Sequence, residues 1–285
     1  MKPSLAVAGV LRVLQLTNNL RGQPRSAIFA LSLPSELREN LGMTTISKAL
    51  IAMYLLFSSI SSLAGEKPLA LVWDGPGACK PSCVDASVII ARRAGFKVKK
   101  VGPDFTDFDL FQKAKLWVQP GGKSTTAAAA MGPLMMDQIR EFVRNGGGYV
   151  GFCAGMFIST PEIGTSKKIG YGIIPGETEL LIKGENDRAM IPIDTIDHGR
   201  VTMYYAGGPY MRVNEADLKA ADGEVIARYP DGKIAGVRAR YGKGKVAVIG
   251  THPEAGFIWK LSRGYFDPRG ERFFVKDMVR YATSP

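Results

Sequence analysis

From Pro68 to Phe152 the chain alternates short, continuous apolar runs with longer amphipathic stretches that end at glycine, and few architectures accommodate that alternation. Leu69-Ala70-Leu71-Val72-Trp73 contains no charged residue, as a parallel strand covered on both faces requires. It breaks at Asp74-Gly75-Pro76-Gly77, a strong turn signal. Val84 to Ala94 then spaces Val84, Val88, Ile89 and Ala91 along one helix face and stops at Gly95. Phe96–Val101 and Leu116-Trp117-Val118 read as strands. Pro133–Arg144 reads as a helix with proline in its first turn, closed by Asn145-Gly146-Gly147-Gly148. Tyr149-Val150-Gly151-Phe152 is the next strand. Strands and helices in this order predict an α/β fold, a doubly wound and mostly parallel sheet with helices on both faces.

After about Thr160 the pattern changes. Leu180-Leu181-Ile182, Ile191-Pro192-Ile193 and Val201–Tyr205 read as short strands near glycine turns. Val225–Tyr229 and Ile234–Arg240 flank Asp231-Gly232 and predict an added β-hairpin. Lys245–Gly250 is a last core strand, and a helix over Arg272–Tyr281 closes the chain. The apolar content of 46% is enough for a sizeable core.

Residues 49–64 form an apolar stretch behind Lys48, shorter than the roughly 20 residues a membrane span needs. Ser62-Leu63-Ala64 supplies small residues at the −3 and −1 positions of a signal-peptidase site. The expected organisation is therefore a leader or non-native extension over 1–42, a signal peptide over 43–64 starting at Met43, and one domain over 65–285. This predicts a periplasmic or secreted protein with no stable membrane span after cleavage. In such a compartment Cys79 and Cys83 could form a local disulfide, provided that Pro81 lets their Cα atoms come within about 7 Å. Two scattered histidines and that cysteine pair lack the ligand spacing of a closed zinc site, so no metal is expected. The net charge of +11 is spread along the chain without an aromatic-interleaved basic patch, which favours a solvated basic surface over nucleic-acid binding.

The chemistry concentrates at Gly151-Phe152-Cys153-Ala154-Gly155. Gly-x-nucleophile-x-Gly between a strand and a helix lets the backbone bend sharply and presents the nucleophile on a strained turn. A thiol there meets the positive end of a helix, which favours the reactive thiolate. The chain has two histidines, and His252 follows a strong strand, where active-site groups of open α/β sheets collect. Glu254 lies two residues on and can reach the same side of an extended segment. These spacings assign catalytic roles to Cys153, His252 and Glu254: nucleophile, base and orienting acid. Ala154 N–H and the Gly121-Gly122 turn, through Gly122, would form the oxyanion hole. Gly121, Phe157, Gly207 and Gly208 are expected to border the substrate. Asp74 reads as a turn opener. His198 reads as a surface turn residue, and Tyr204, Tyr205 and Tyr210 as pocket or packing residues.

Pro120-Gly121-Gly122, Gly151–Gly155 and His252-Pro253-Glu254, in this order, resemble the class I glutamine amidotransferase superfamily. Within it, Trp73–Gly77, Gly148–Gly155 and Tyr204-Tyr205-Ala206-Gly207-Gly208-Pro209 resemble the family named for the N-terminal domain of biotin–protein ligase. The resemblance implies a flavodoxin-like sheet and no cofactor, and it does not imply biotin ligation. Glutaminases of the superfamily carry glutamine four residues after the nucleophile, where this chain has Phe157, so glutamine hydrolysis is not expected. Three function classes stay open. One is a thiol hydrolase acting on an amide or peptide-like bond of a small-molecule or peptide-like substrate. Another is a non-catalytic domain that binds a small molecule or carboxylate at the elbow. The last is a redox-sensing thiol. The oligomeric state is not encoded in any of these features.

Overall fold

The computed structural model describes residues 66–182, 188–267 and 271–285. The expected leader and signal peptide lie outside the described residues. Among those described, no helix is long and apolar enough to cross a membrane.

The first half is built from β1 (Leu69–Trp73), α1 (Ser82–Arg93), β2 (Lys97–Val101), α2 (Asp109–Lys113), β3 (Ala114–Gln119), α3 (Ser124–Arg144), β4 (Gly148–Phe152) and α4 (Ala154–Ser159). The second half adds β5 (Glu177–Leu180), β6 (Arg188–Thr195), β7 (Gly199–Ala206), β8 (Pro209–Arg212), α5 (Glu215–Ala220), β9 (Glu224–Arg228), β10 (Ile234–Tyr241), β11 (Gly244–Ile249), α6 (Phe257–Leu261) and α7 (Arg272–Thr283). One sheet runs β2-β1-β3-β4-β11-β10-β9-β6-β7, with β8 joining β10 and β5 joining β8. From β2 to β11 all pairings are parallel, and from β11 onward they are antiparallel. This is the doubly wound α/β fold the strand–helix alternation predicts, extended by β-hairpins.

The pleat explains why the parallel strands are apolar throughout. Leu71, Trp73, Trp117 and Tyr149 face one core with Met131, Met135 and Ile139 of α3. Ala70, Val72, Leu116, Val118, Val150 and Phe152 face the other, with Val84 and Val88 of α1 and Met278 and Val279 of α7. Gln119, in the buried end of β3, accepts hydrogen bonds from Trp117 Nε1 and from the Tyr171 hydroxyl, each at 3.1 Å, so its amide oxygen is not stranded in the core.

Five elements depart from expectation. α3 begins at Ser124 instead of Pro133, because the Ala127–Ala130 run is a strong helix former that carries too little hydrophobic contrast to show periodicity. Gly132, at φ 66 and ψ 171, takes up the break before Pro133. The helices α2, α5 and α6 are five or six residues long, too short for a periodic signal. The strand expected at Leu180–Ile182 is shifted back to Glu177–Leu180, paired with β8.

Gly207 and Gly208 join β7 to β8. A Cβ on Gly208 would lie 1.7 Å from the Gly250 carbonyl oxygen, and one on Gly250 would lie 1.9 Å from that of Pro209. Here two backbones touch just before the segment that carries His252. Gly208→Ala is expected to cost at least about 2 kcal/mol through forced overpacking, read as a lowered urea midpoint. Gly102→Ala, where a Cβ meets nothing within 4 Å, should leave the midpoint near that of the parent.

Candidate active site

β3, β4 and β11 are neighbours in the sheet, so the residues that follow them emerge side by side at its carboxyl edge. Cys153 follows β4 directly and holds φ 49, ψ −100, a region that side chains rarely occupy and that costs on the order of 1–3 kcal/mol. The surroundings impose that conformation. Cys153 N–H donates to the Ile249 carbonyl at 2.8 Å, and its own carbonyl accepts from the Met156 and Phe157 amides. Tyr149 Oη donates to the Gly155 carbonyl at 2.8 Å and fixes the following turn. Both elbow glycines are sterically required: a Cβ on Gly151 would lie 2.8 Å from the Gly155 carbonyl, and one on Gly155 would lie 2.6 Å from that of Gln119. The helix behind the elbow, α4, has six residues, so local N–H groups rather than a long helix supply the positive potential.

His252 is buried, and its backbone N–H donates to the Tyr204 carbonyl at 2.7 Å, which ties it to β7. Its Nδ1 donates to Glu254 Oε1 at 2.8 Å. Burial disfavours the imidazolium, but the carboxylate of Glu254 and, after it, the nearby Cys153 side chain outweigh that penalty, and the pKa is raised to about 10. The ring lies 6.0 Å from that of Tyr204 and 5.2 Å from that of Trp259, centroid to centroid. Glu254 Oε2 is buried and has no hydrogen-bond partner among the described residues.

Gly121 lies against this group: a Cβ there would sit 2.4 Å from His252 Cε1 and 3.4 Å from Cys153 Cβ. Gly122, at φ 139, packs on the Gly77 carbonyl, and the Cys79 amide donates to Gly121 O at 2.9 Å. The β1–α1 loop therefore forms one wall of the site. Cys79 of that loop is disulfide-bonded to Cys83, in the first turn of α1, with Cα atoms 5.2 Å apart.

The other residues singled out in the sequence make contacts of their own. Phe157 packs on the α3-side core and contacts Gly164. The backbone group that meets the Cys153 thiol from the β7–β8 turn is a carbonyl, that of Ala206 at 3.6 Å, and Gly208 is occupied in packing on Gly250. Asp74 pairs with Lys80 at 2.9 Å. His198 bonds Asp277 of α7 at 2.6 Å. Tyr205 donates to the Gly208 carbonyl and Tyr210 to Glu179. Trp259 and Cys83, which the sequence does not single out for the site, both border His252. Their distance along the chain from Cys153 hides them, and no motif covers either.

With this geometry in place, the likeness to known proteins becomes specific. Residues 69–181 match the family described as biotin-protein ligase, N terminal. The match covers less than half of the chain. The matched stretch carries the elbow and the Gly121-Gly122 turn, while His252 and Glu254 come from the strand beyond it. Among solved structures the chain is similar to a glutamine amidotransferase (20% identity, TM-score 0.54, covering 75% of this chain and 98% of that one). It is also similar to PurLQS from Thermotoga maritima (18% identity, TM-score 0.50, covering 76% and 97%). These likenesses establish a glutamine amidotransferase-like fold. No curated protein sequence matches the chain significantly.

Proposed function

We propose that the domain is an exported thiol hydrolase that opens an amide or peptide-like bond through an acyl-enzyme on Cys153. The observation that carries this reading is the strained Cys153, which meets at Gly121 a buried imidazole that Glu254 holds through Nδ1. In this mechanism His252 keeps the sulfur as a thiolate and later protonates the leaving amine, and Glu254 stabilises the imidazolium. Ala154 N–H and the Gly122 turn would receive the oxyanion. Phe157 stands where a glutaminase carries its glutamine, so the substrate is an amide other than free glutamine. The disulfide supports export to an oxidising compartment, and residues 43–64 would direct it there. N-terminal sequencing of the native protein should then begin near Gly65; a product that keeps residues 1–42 would rule out this start.

The test is iodoacetamide alkylation of Cys153 against pH, read by mass spectrometry. At pH 6.5, where a free thiol is almost wholly protonated, His252→Ala should slow alkylation at least about tenfold. The imidazole stays charged up to about pH 10, so the advantage over His252→Ala should shrink as the pH rises through about 8.5, where an unassisted thiol ionises by itself. Equal rates in both proteins at pH 6.5 would instead favour a binding domain that merely retains the elbow.

A further inference from the structure

The disulfide that ties the β1–α1 loop to α1 lies beside the His252–Glu254 pair. Cys83 Sγ, an imidazole nitrogen of His252 and a carboxylate oxygen of Glu254 all lie within 4.8 Å of one another, and all three residues are buried. While Cys83 is bonded to Cys79 its sulfur is neutral and a poor ligand. Reduction changes the donor set to one thiolate, one imidazole and one carboxylate. Zinc takes such S, N and O donors at about 2.0–2.3 Å, which places neighbouring ligand atoms on the order of 3.5 Å apart on a tetrahedron. Rotation of a released Cys83 side chain and a small carboxylate shift cover the difference. The two anionic ligands match the charge of the ion, so the buried cluster becomes neutral. Glu254 Oε2, buried and without a partner among the described residues, provides a free lone pair at the same place.

We propose that reduction of the Cys79–Cys83 disulfide converts this cluster into a site for one zinc ion, held by Cys83, His252 and Glu254, with solvent as fourth ligand. A dithiol delivers two electrons and two protons to the cysteine pair; the Sγ–Sγ bond breaks and the dithiol closes to its own disulfide. Zinc then displaces the Cys83 thiol proton and one imidazolium proton to solvent. An imidazole bound to zinc cannot carry its second proton, so the metal-loaded form loses His252 as a proton donor. The site stands whether or not Cys153 is a nucleophile.

The experiment uses the full chain carrying Cys153→Ala, so that Cys153 cannot supply a ligand. Protein is reduced with a phosphine, desalted anaerobically, mixed with zinc sulfate, desalted again and analysed for metal. One zinc per chain is expected after reduction and none when oxidised. Adding Cys79→Ser leaves Cys83 permanently free, and that protein should bind zinc without any reductant. Adding Cys83→Ser should abolish binding under both conditions, with circular dichroism verifying the fold. Zinc retained equally by oxidised protein or by reduced Cys83→Ser would overturn the assignment, and so would failure of the Cys79→Ser protein to bind.

Discussion

Lys260→Met is expected to destabilise the domain by about 3–5 kcal/mol, measured as a shift in urea midpoint. Lys260, in α6, is fully buried, and its ammonium donates to Asp267 at 2.9 Å and to both oxygens of Glu271 at 3.2 and 3.3 Å. Taking away the cation leaves two carboxylates facing each other away from water. Burial already raises the Glu271 pKa to about 7 against the opposing pull of Lys260. The folded state therefore binds that proton more tightly than the unfolded chain, whose carboxyl titrates near 4.5. Stability from this group is greatest below about 4.5 and falls as the pH rises through about 7. Without Lys260 the fall continues to higher pH, so the deficit of the variant should be smallest in acid and grow above neutrality. The triple change Lys260→Met, Asp267→Asn, Glu271→Gln removes all three charges and should recover at least half of the loss. A single variant as stable as the parent at pH 8 would mean that the cluster is solvated in solution.

Gly121→Ala should slow Cys153 alkylation at pH 6.5 by about the same factor as His252→Ala, roughly tenfold, while leaving the fold intact. The added methyl would sit 2.4 Å from His252 Cε1, and the imidazole, rather than backbone, is what must give way. Its displacement breaks the alignment between Glu254 and Cys153 without disturbing β3 or β4. Combining Gly121→Ala with His252→Ala should add little further loss, because both changes remove the same interaction. Additive effects would show that Gly121 acts on Cys153 directly, through its contact with the Cβ.

The parallel half of the fold and the meeting of three segments at its carboxyl edge were legible because each leaves a local trace. β1, β3, β4 and β11 are apolar runs stopped by glycine or turn residues, and Cys153 sits between two glycines that backbone contacts require. What stayed hidden depends on partners far along the chain. The Cys79–Cys83 bond could be suggested from spacing, but its place beside His252 depends on β1 and β11 lying in one sheet. Trp259 belongs to a five-residue helix with no periodicity to betray it. Gly207 and Gly208 are expected to border the substrate, whereas the group beside the thiol is the Ala206 carbonyl, and Gly208 is taken up by its contact with Gly250. Alternation of residue types reports which face is buried and says little about which loop lies across it.

The parallel pairing of β4 with β11 also governs how the domain can be cut. β4 is buried along its whole length, with β3 on one side and β11 on the other, yet β11 arrives almost a hundred residues later in the chain. A fragment ending near residue 181 would keep the elbow and lose its flanking strand. Gly148–Phe152 would then become an apolar sheet margin with open N–H and C=O groups, which pairs readily with a second copy of itself. Such a fragment should precipitate or form strand-exchanged dimers, and the smallest piece that remains monodisperse should have to run through Ile249 to α7, which covers β4 and β11 together.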